Sequence, residues 1–179
     1  PICARKTRTR SFNAFSSIDY PETAVFRDTR LVTFLRRPTD QPPVRFYERL
    51  EPAVFVLRLV PGMRADIIPL LAPHYRALVL ESFGVGGLPG GEHGEMFAAL
   101  RRWCESGRLA VFTTQVPHEG CDLAVYEVGR AVGELPGVLE ARDMTPEAVA
   151  VKLMWALGQT EDREKAARLF ETPIEYDIM

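Results

Sequence analysis

The sequence predicts an α/β domain of three α/β/α layers built on about four parallel strands. Two observations predict it. From residue 51 onward, short apolar runs alternate four times with segments of helical period. The runs are continuous rather than alternating with polar residues, as expected of parallel strands covered on both faces.

The first 50 residues read differently. They are basic at Arg5, Lys6, Arg8 and Arg10, then aromatic at Phe12, Phe15, Tyr20 and Phe26, and broken by Pro21, Pro38, Pro42 and Pro43. Residues 31–35, β-branched and aromatic, suit a strand. We read 1–50 as a linker with one edge strand, packing against something else, and 51–179 as the domain proper.

Within the domain, Ala53-Val54-Phe55-Val56-Leu57 is the first strand, stopped by Pro61-Gly62. Asp66 can cap a helix through Ile67, Ile68, Leu70 and Leu71, with Pro69 tolerated in its first turn. Ala77-Leu78-Val79-Leu80 is the second strand and leads into the Gly-rich loop Gly84 to Gly91. Met96, Phe97, Leu100, Trp103 and Cys104 then share one helix face, and Gly107 ends that helix. Leu109-Ala110-Val111-Phe112 is the third strand. Asp122 is expected to cap a helix over 123–132. Val138 to Ala141 is a short fourth strand. Thr145-Pro146-Glu147 opens the last long helix with a hydroxyl cap, proline at the first helical position and an early acid. That helix buries Val149, Leu153 and Trp155 or Leu157. Thr160 restarts a final helix ending near Phe170. The outline is Rossmann- or flavodoxin-like.

Composition bounds the function. With 179 residues, 46% hydrophobic and 26% charged, the chain is sized for one ordinary globular domain. A net charge of −2 supplies no basic surface for nucleic acid. No apolar run reaches 18 residues, so no membrane span is expected. No secretory signal is legible, and Pro1 in place of Met is read as a processing or cloning boundary. Three cysteines, Cys3, Cys104 and Cys121, form neither a disulfide framework nor a zinc site, which suits a cytoplasmic setting.

Functional groups in such a sheet belong at the carboxyl ends of its strands. Four loops qualify: 61–63, 82–91, 113–121 and 142–145. In the Gly-rich loop, Gly84 and Gly86 fit the start of a dinucleotide fingerprint, but Pro89 stands at the third glycine and no acid follows the next strand. No Gly-Lys-Ser/Thr phosphate loop occurs. His74, His93 and His118 lack metal-ligand spacing, and no metal or cofactor is expected. Cys104 lies on an apolar helix face. Cys121 sits beside Glu119 and Asp122, acids that would raise a thiol pKa. No serine lies in a nucleophile elbow. No catalytic set is complete.

Five segments in order resemble the second half of type I, cytoplasmic-type L-asparaginases. They are Lys6-Thr7-Arg8-Thr9 with Ser11 to Ser17 and Tyr20-Pro21; Val60-Pro61-Gly62-Met63 with Ala65-Asp66; Leu78 to Pro89; Thr113-Thr114-Gln115 with Gly120 and Tyr126 to Gly129; and Asp143 to Ala148 with Lys152-Leu153. The resemblance implies a two-domain amidohydrolase giving aspartate and ammonia from L-asparagine. Its threonine nucleophile, second threonine, aspartate and lysine belong to an N-terminal domain. The Gly-Gly-Thr-Ile and Thr-Asp-Thr motifs that carry them are absent here. The chain therefore reads as starting at the end of that domain, with no catalytic residue of its own, and as inactive alone.

The resemblance also implies partners: the missing N-terminal domain, and a homodimer or tetramer in which this domain closes a neighbour's substrate pocket. Substrate-side positions are Gly84, Gly86 and Gly87 in the loop from Ser82 to Pro89, and Glu119 by analogy with an acid of the periplasmic relatives. Many relatives carry asparagine where this sequence has Gly87, which leaves only backbone groups there. Members with an allosteric asparagine site use an arginine where Glu81 stands and a cysteine where Val116 stands, so that site is expected to be absent. The competing reading is a stand-alone flavodoxin-like module binding a small ligand through Gly84 to Gly91.

Overall fold

Two strands organise the molecule because every residue in them is buried: β6 (Ala77–Ser82) and β7 (Leu109–Thr114). A computed structural model describes residues 4–35, 43–91, 93–175 and 177–178. Cys3, Pro38 and Pro42 lie outside the described residues. Two short antiparallel hairpins come first, β1 (Ala4–Lys6) with β2 (Phe15–Ser17) and β3 (Ala24–Arg27) with β4 (Arg30–Thr33). Then follow β5 (Val54–Arg58), α1 (Ile67–Leu71), β6, α2 (Glu95–Glu105), β7, α3 (Glu127–Gly133), β8 (Val138–Glu140), α4 (Pro146–Gln159) and α5 (Arg163–Glu171).

Strands β5 to β8 form one parallel sheet in the order β5-β6-β7-β8. Successive crossovers that add neighbours in one direction keep their helices on one face. Side-chain parity agrees. Leu78, Leu80, Ala110 and Phe112 face a core completed by α1, α2 and α3. Ala77, Val79, Leu109 and Val111 face a second core completed by α4 and α5. The expected three layers and four parallel strands are both present. Among the described residues the strand order never reverses, so this sheet shows no topological switch crevice of the kind that holds nucleotides in Rossmann and flavodoxin folds.

Several local expectations are corrected. The strand foreseen at 31–35 is half of the β3–β4 hairpin and does not pair with the main sheet. Phe12, Phe15 and Phe26 are exposed, and of the neighbouring residues only Ile18 is buried. Strand β5 is an edge strand, so Val56 is exposed rather than covered on both faces. Asp66 stands at the start of α1 without a side-chain cap bond, because Arg64 Nη2 takes its carboxylate at 2.7 Å. Asp122 caps only a turn, accepting from Ala124 N at 2.9 Å, and α3 starts later, at Glu127. Asp162, not Thr160, caps α5 by accepting from Lys165 N at 3.0 Å.

Other local readings hold. Thr145 Oγ1 accepts from Ala148 N at the start of α4. Leu157 is buried in the core, while Trp155 is half-buried, packing against that core and edge-on against Tyr47. Gly107 takes a φ of 87° just past α2.

One interaction had no sequence signal. Lys152 points into the α4–α5 layer, where its Nζ meets Asp177 Oδ2 at 2.7 Å and Thr172 O at 3.0 Å. Both side chains are about 95% buried. A paired charge in such a place is tolerated, but removing one partner strands the other. Lys152→Met should lower stability by about 3 kcal/mol in urea unfolding, and Lys152→Met with Asp177→Leu should recover most of it. Equal losses in both variants would contradict this account.

Candidate functional site

The carboxyl ends of β6 and β7 carry the first polar side chains after long apolar runs. Ser82 is wholly buried and its hydroxyl donates to Thr113 O at 2.8 Å. Thr114, opposite Ser82 in register, donates its hydroxyl to Gly84 O in a short bond and accepts from Val116 N at 3.0 Å. Gln115 Nε2 donates to Leu59 O at 2.6 Å and to Glu81 O at 2.8 Å. Threonine and glutamine at the end of one strand thus hold the loops after two others.

The Gly-rich segment is a tight turn. Phe83 and Gly87 form an antiparallel bridge, and Phe83 O accepts from both Gly86 N and Gly87 N, at 3.1 and 2.8 Å. The main-chain N–H groups of Gly86 and Gly87 are therefore used within the turn. Gly84 is exposed, Gly87 half-buried and Gly86 buried beneath Leu123. The next loop is laced to this turn, for Val85 O accepts from Asp122 N at 3.1 Å and from Cys121 Sγ at 3.3 Å. The loop after β8 joins through Cys121 N to Arg142 O at 2.8 Å.

Glu119 is exposed and adopts a φ of 80°. Its N–H donates to Asp19 Oδ1 at 3.2 Å, and His118 Nδ1 lies 3.5 Å from the same oxygen. Asp19 and Arg142 are also left-handed, at φ 56° and 52°. Three non-glycine residues in this sparsely populated region, all at one end of the sheet, mark a surface whose shape is held by tertiary contacts. Among the described residues, no hydrogen bond joins Glu119 to the Gly84–Gly87 turn.

The nucleophile candidates are quiet. Burial pushes the Cys121 thiol up to about 12, with Glu140 and Asp122 adding to it, and pushes Cys104 up to about 11. The thiolate is the reactive form, so neither sulfur is activated. Of the two acids foreseen beside Cys121, Asp122 acts on it and Glu119 does not; the other acid acting on it is Glu140. His74, His93 and His118 are exposed.

Known proteins share both this sequence and this architecture. The Glutaminase/Asparaginase C-terminal domain family matches residues 53–170. The chain is 37% identical to an L-asparaginase of Thermococcus kodakarensis over 97% of its own length and 52% of the relative's. It is 36% identical to a glutamyl-tRNA(Gln) amidotransferase component of Metallosphaera sedula over 96% of its length and 39% of the relative's. The solved thermostable L-asparaginase of Thermococcus kodakarensis superposes with a TM-score of 0.90 at 34% identity, covering 99% of this chain and 53% of that one.

The chain belongs to the glutaminase/asparaginase family. It carries the C-terminal domain of that family and spans about half the length, or less, of the relatives it matches. Among the described residues no helix is long and apolar enough to cross a membrane.

Sequence reasoning places Thr114 and Gln115 in a motif but does not show that they fasten this asparaginase-type loop set. It misses Asp19, which lies 100 residues from its partner and has no local signal. It also misses Glu140, an acid at the end of an apolar strand, which is visible. Glu140 Oε1 accepts from Leu123 N at 2.6 Å. Burial holds its carboxyl above the usual range, the Leu123 bond opposes that, and Asp122 adds to it.

Two outcomes follow for this domain. An alanine Cβ at Gly120 would stand 2.5 Å from Arg142 O, at a φ of 68°. Gly120→Ala should cost about 2 kcal/mol or more, read from the urea midpoint, because a backbone contact and a left-handed residue are both violated. A carboxyl whose folded pKa is raised weakens the fold as pH climbs above the ordinary carboxylate range. Glu140→Gln keeps an acceptor for Leu123 N, so it should be more stable than the parent at pH 7, and the gain should vanish near pH 4. A gain independent of pH would show that the charge is not its cause.

Proposed function

We propose that this protein is the C-terminal half of an L-asparaginase, and that the complete enzyme hydrolyses L-asparagine to aspartate and ammonia. The observation that carries this reading is a braced set of carboxyl-end loops with no activated cysteine among the described residues. Ser82 Oγ is spent on a main-chain carbonyl, and both described thiols are held protonated. Such a domain is suited to shaping a pocket rather than to attacking an amide. The attacking threonine and its helpers would come from the N-terminal half.

In this reading, Gly84, Gly86, Gly87 and Glu119 form the substrate-side rim. Gly86 and Gly87 act by letting Leu123 and Phe83 pack against the turn, since their own N–H groups bond within it. Glu119 is the side chain offered to substrate. The domain supports assembly of a homodimer or tetramer, and the enzyme works in the cytoplasm, where its free cysteines stay reduced. No asparagine effector site is assigned, because Glu81 is paired with Arg58 at 3.4 Å and presents a carboxylate where an effector carboxylate would need a cation.

A second reading has an observation in its favour: the match to the Metallosphaera sedula amidotransferase component is nearly as close. There the same domain would serve one component of a glutamyl-tRNA(Gln) amidotransferase. One assay separates the two. Ammonia release from L-asparagine is measured with this chain alone, with the separately produced N-terminal half alone, and with both, each with and without glutamyl-tRNA. Activity only on mixing, with a hyperbolic dependence on asparagine, is expected. Activity from this chain alone would overturn the division of labour. A sigmoidal curve would restore the effector site. Amidase activity that requires glutamyl-tRNA would favour the second reading.

A further inference from the structure

At the amino ends of the strands, opposite the loops described above, the fold leaves a half-open pocket of about 250 Å3. Three arginines line it: Arg76 before β6, Arg108 before β7 and Arg163 at the start of α5. Their situations differ. Arg76 meets two carboxylates, with Nη1 2.9 Å from Glu51 Oε2 and Nη2 2.7 Å from Glu161 Oε2, so the three arginines and these two acids leave one net positive charge. Among the described residues, Arg108 and Arg163 have no carboxylate within ion-pairing distance. Both are half-buried.

Arg108 is held in place by the protein. Its Nε donates to Tyr75 O at 3.3 Å, Nη2 to Ala72 O at 2.8 Å and Nη1 to the Ser106 hydroxyl at 2.5 Å. Arg163 Nη1 donates to Cys104 O at 3.1 Å. Both side chains line the same pocket, and Arg163 Nη1 lies near the Arg108 main chain, for a Cβ at Gly137 would stand 2.9 Å from Arg108 O and 3.5 Å from Arg163 Nη1. A guanidinium carries five N–H donors. Arg108 places three of them on protein oxygens and Arg163 one, which leaves most of the Arg163 fork without a protein acceptor. Two half-buried guanidinium groups on one pocket, neither paired directly with a carboxylate among the described residues, repel each other.

We propose that this cavity binds a small oxyanion between Arg108 and Arg163. The ligand's oxygens would accept the remaining donors and supply the missing charge. The volume lies below the roughly 300–1,000 Å3 of sites for drug-sized ligands, so one phosphate or one short carboxylate fits the class and a nucleotide does not. Tyr75, Leu109 and Leu157 supply apolar walls on one side of the charge.

The test is titration of the 179-residue chain with inorganic phosphate, and separately with acetate, by calorimetry against sodium chloride at matched ionic strength. Saturable binding on the order of 1 mM is expected for at least one of the two, and the better ligand identifies the source. Arg163→Gln should weaken it at least ten-fold, while Arg64→Gln, at an exposed pair elsewhere, should leave it unchanged. Arg163→Lys keeps the charge without the fork and should weaken binding at least three-fold. If Arg163→Gln fails to fold, that variant decides. Protection of Arg108 and Arg163 from phenylglyoxal by the bound anion, read by peptide mass mapping, is the second expected result. Heat that does not saturate, or affinity untouched by Arg163→Lys, would overturn the proposal.

Discussion

The structure depends on two strands that have no wet side. Every residue of β6 and β7 is buried, so neither strand can present a polar group to water along its length. Helices must then cover both faces, and the two cores follow from the alternation of side chains across the pleat. Polarity is pushed to the strand ends. Ser82, Thr113 and Thr114 stand where the apolar runs stop, and the loops are tied together at that level. The place of the candidate site is thus a consequence of how the core is closed.

The ties at the strand ends use side chains to hold main chain. Thr114 grips Gly84, Gln115 grips Leu59 and Glu81, and Glu140 grips Leu123. Bonds of this kind fix backbone shape while spending few polar groups that could meet a ligand. They also explain the left-handed residues. Asp19, Glu119 and Arg142 hold conformations that local preference disfavours, and cross-loop contacts over-determine two of them directly.

Much of this is legible in the sequence where period and chemistry coincide. Continuous apolar runs mark β6 and β7, the face through Met96, Leu100 and Trp103 marks α2, and Thr145-Pro146-Glu147 marks the start of α4. Readings fail where two local choices are nearly equal. Asp66 could cap a helix or pair with Arg64, and Thr160 and Asp162 both suit a cap. They fail again where the deciding partner is remote. Nothing near Lys152 announces Asp177, and nothing near residues 118 and 119 announces Asp19. The hairpin partner of residues 30–33 escapes notice because each strand has only four residues, too few for a periodic signal.

The Lys152–Asp177 pair has a consequence for synthesis. Asp177 and Ile178 complete the layer formed by α4 and α5, and Asp177 also accepts from Ile174 N at 2.7 Å. A nascent chain that has released α4 but not residues 172–178 presents a lysine directed at a core with neither its carboxylate nor the Thr172 carbonyl to receive it. The sheet and the α1–α3 layer can collapse during translation, since their residues emerge first. The opposite layer cannot close before residue 178 has left the ribosome, so this half-built face is the one that a chaperone would meet.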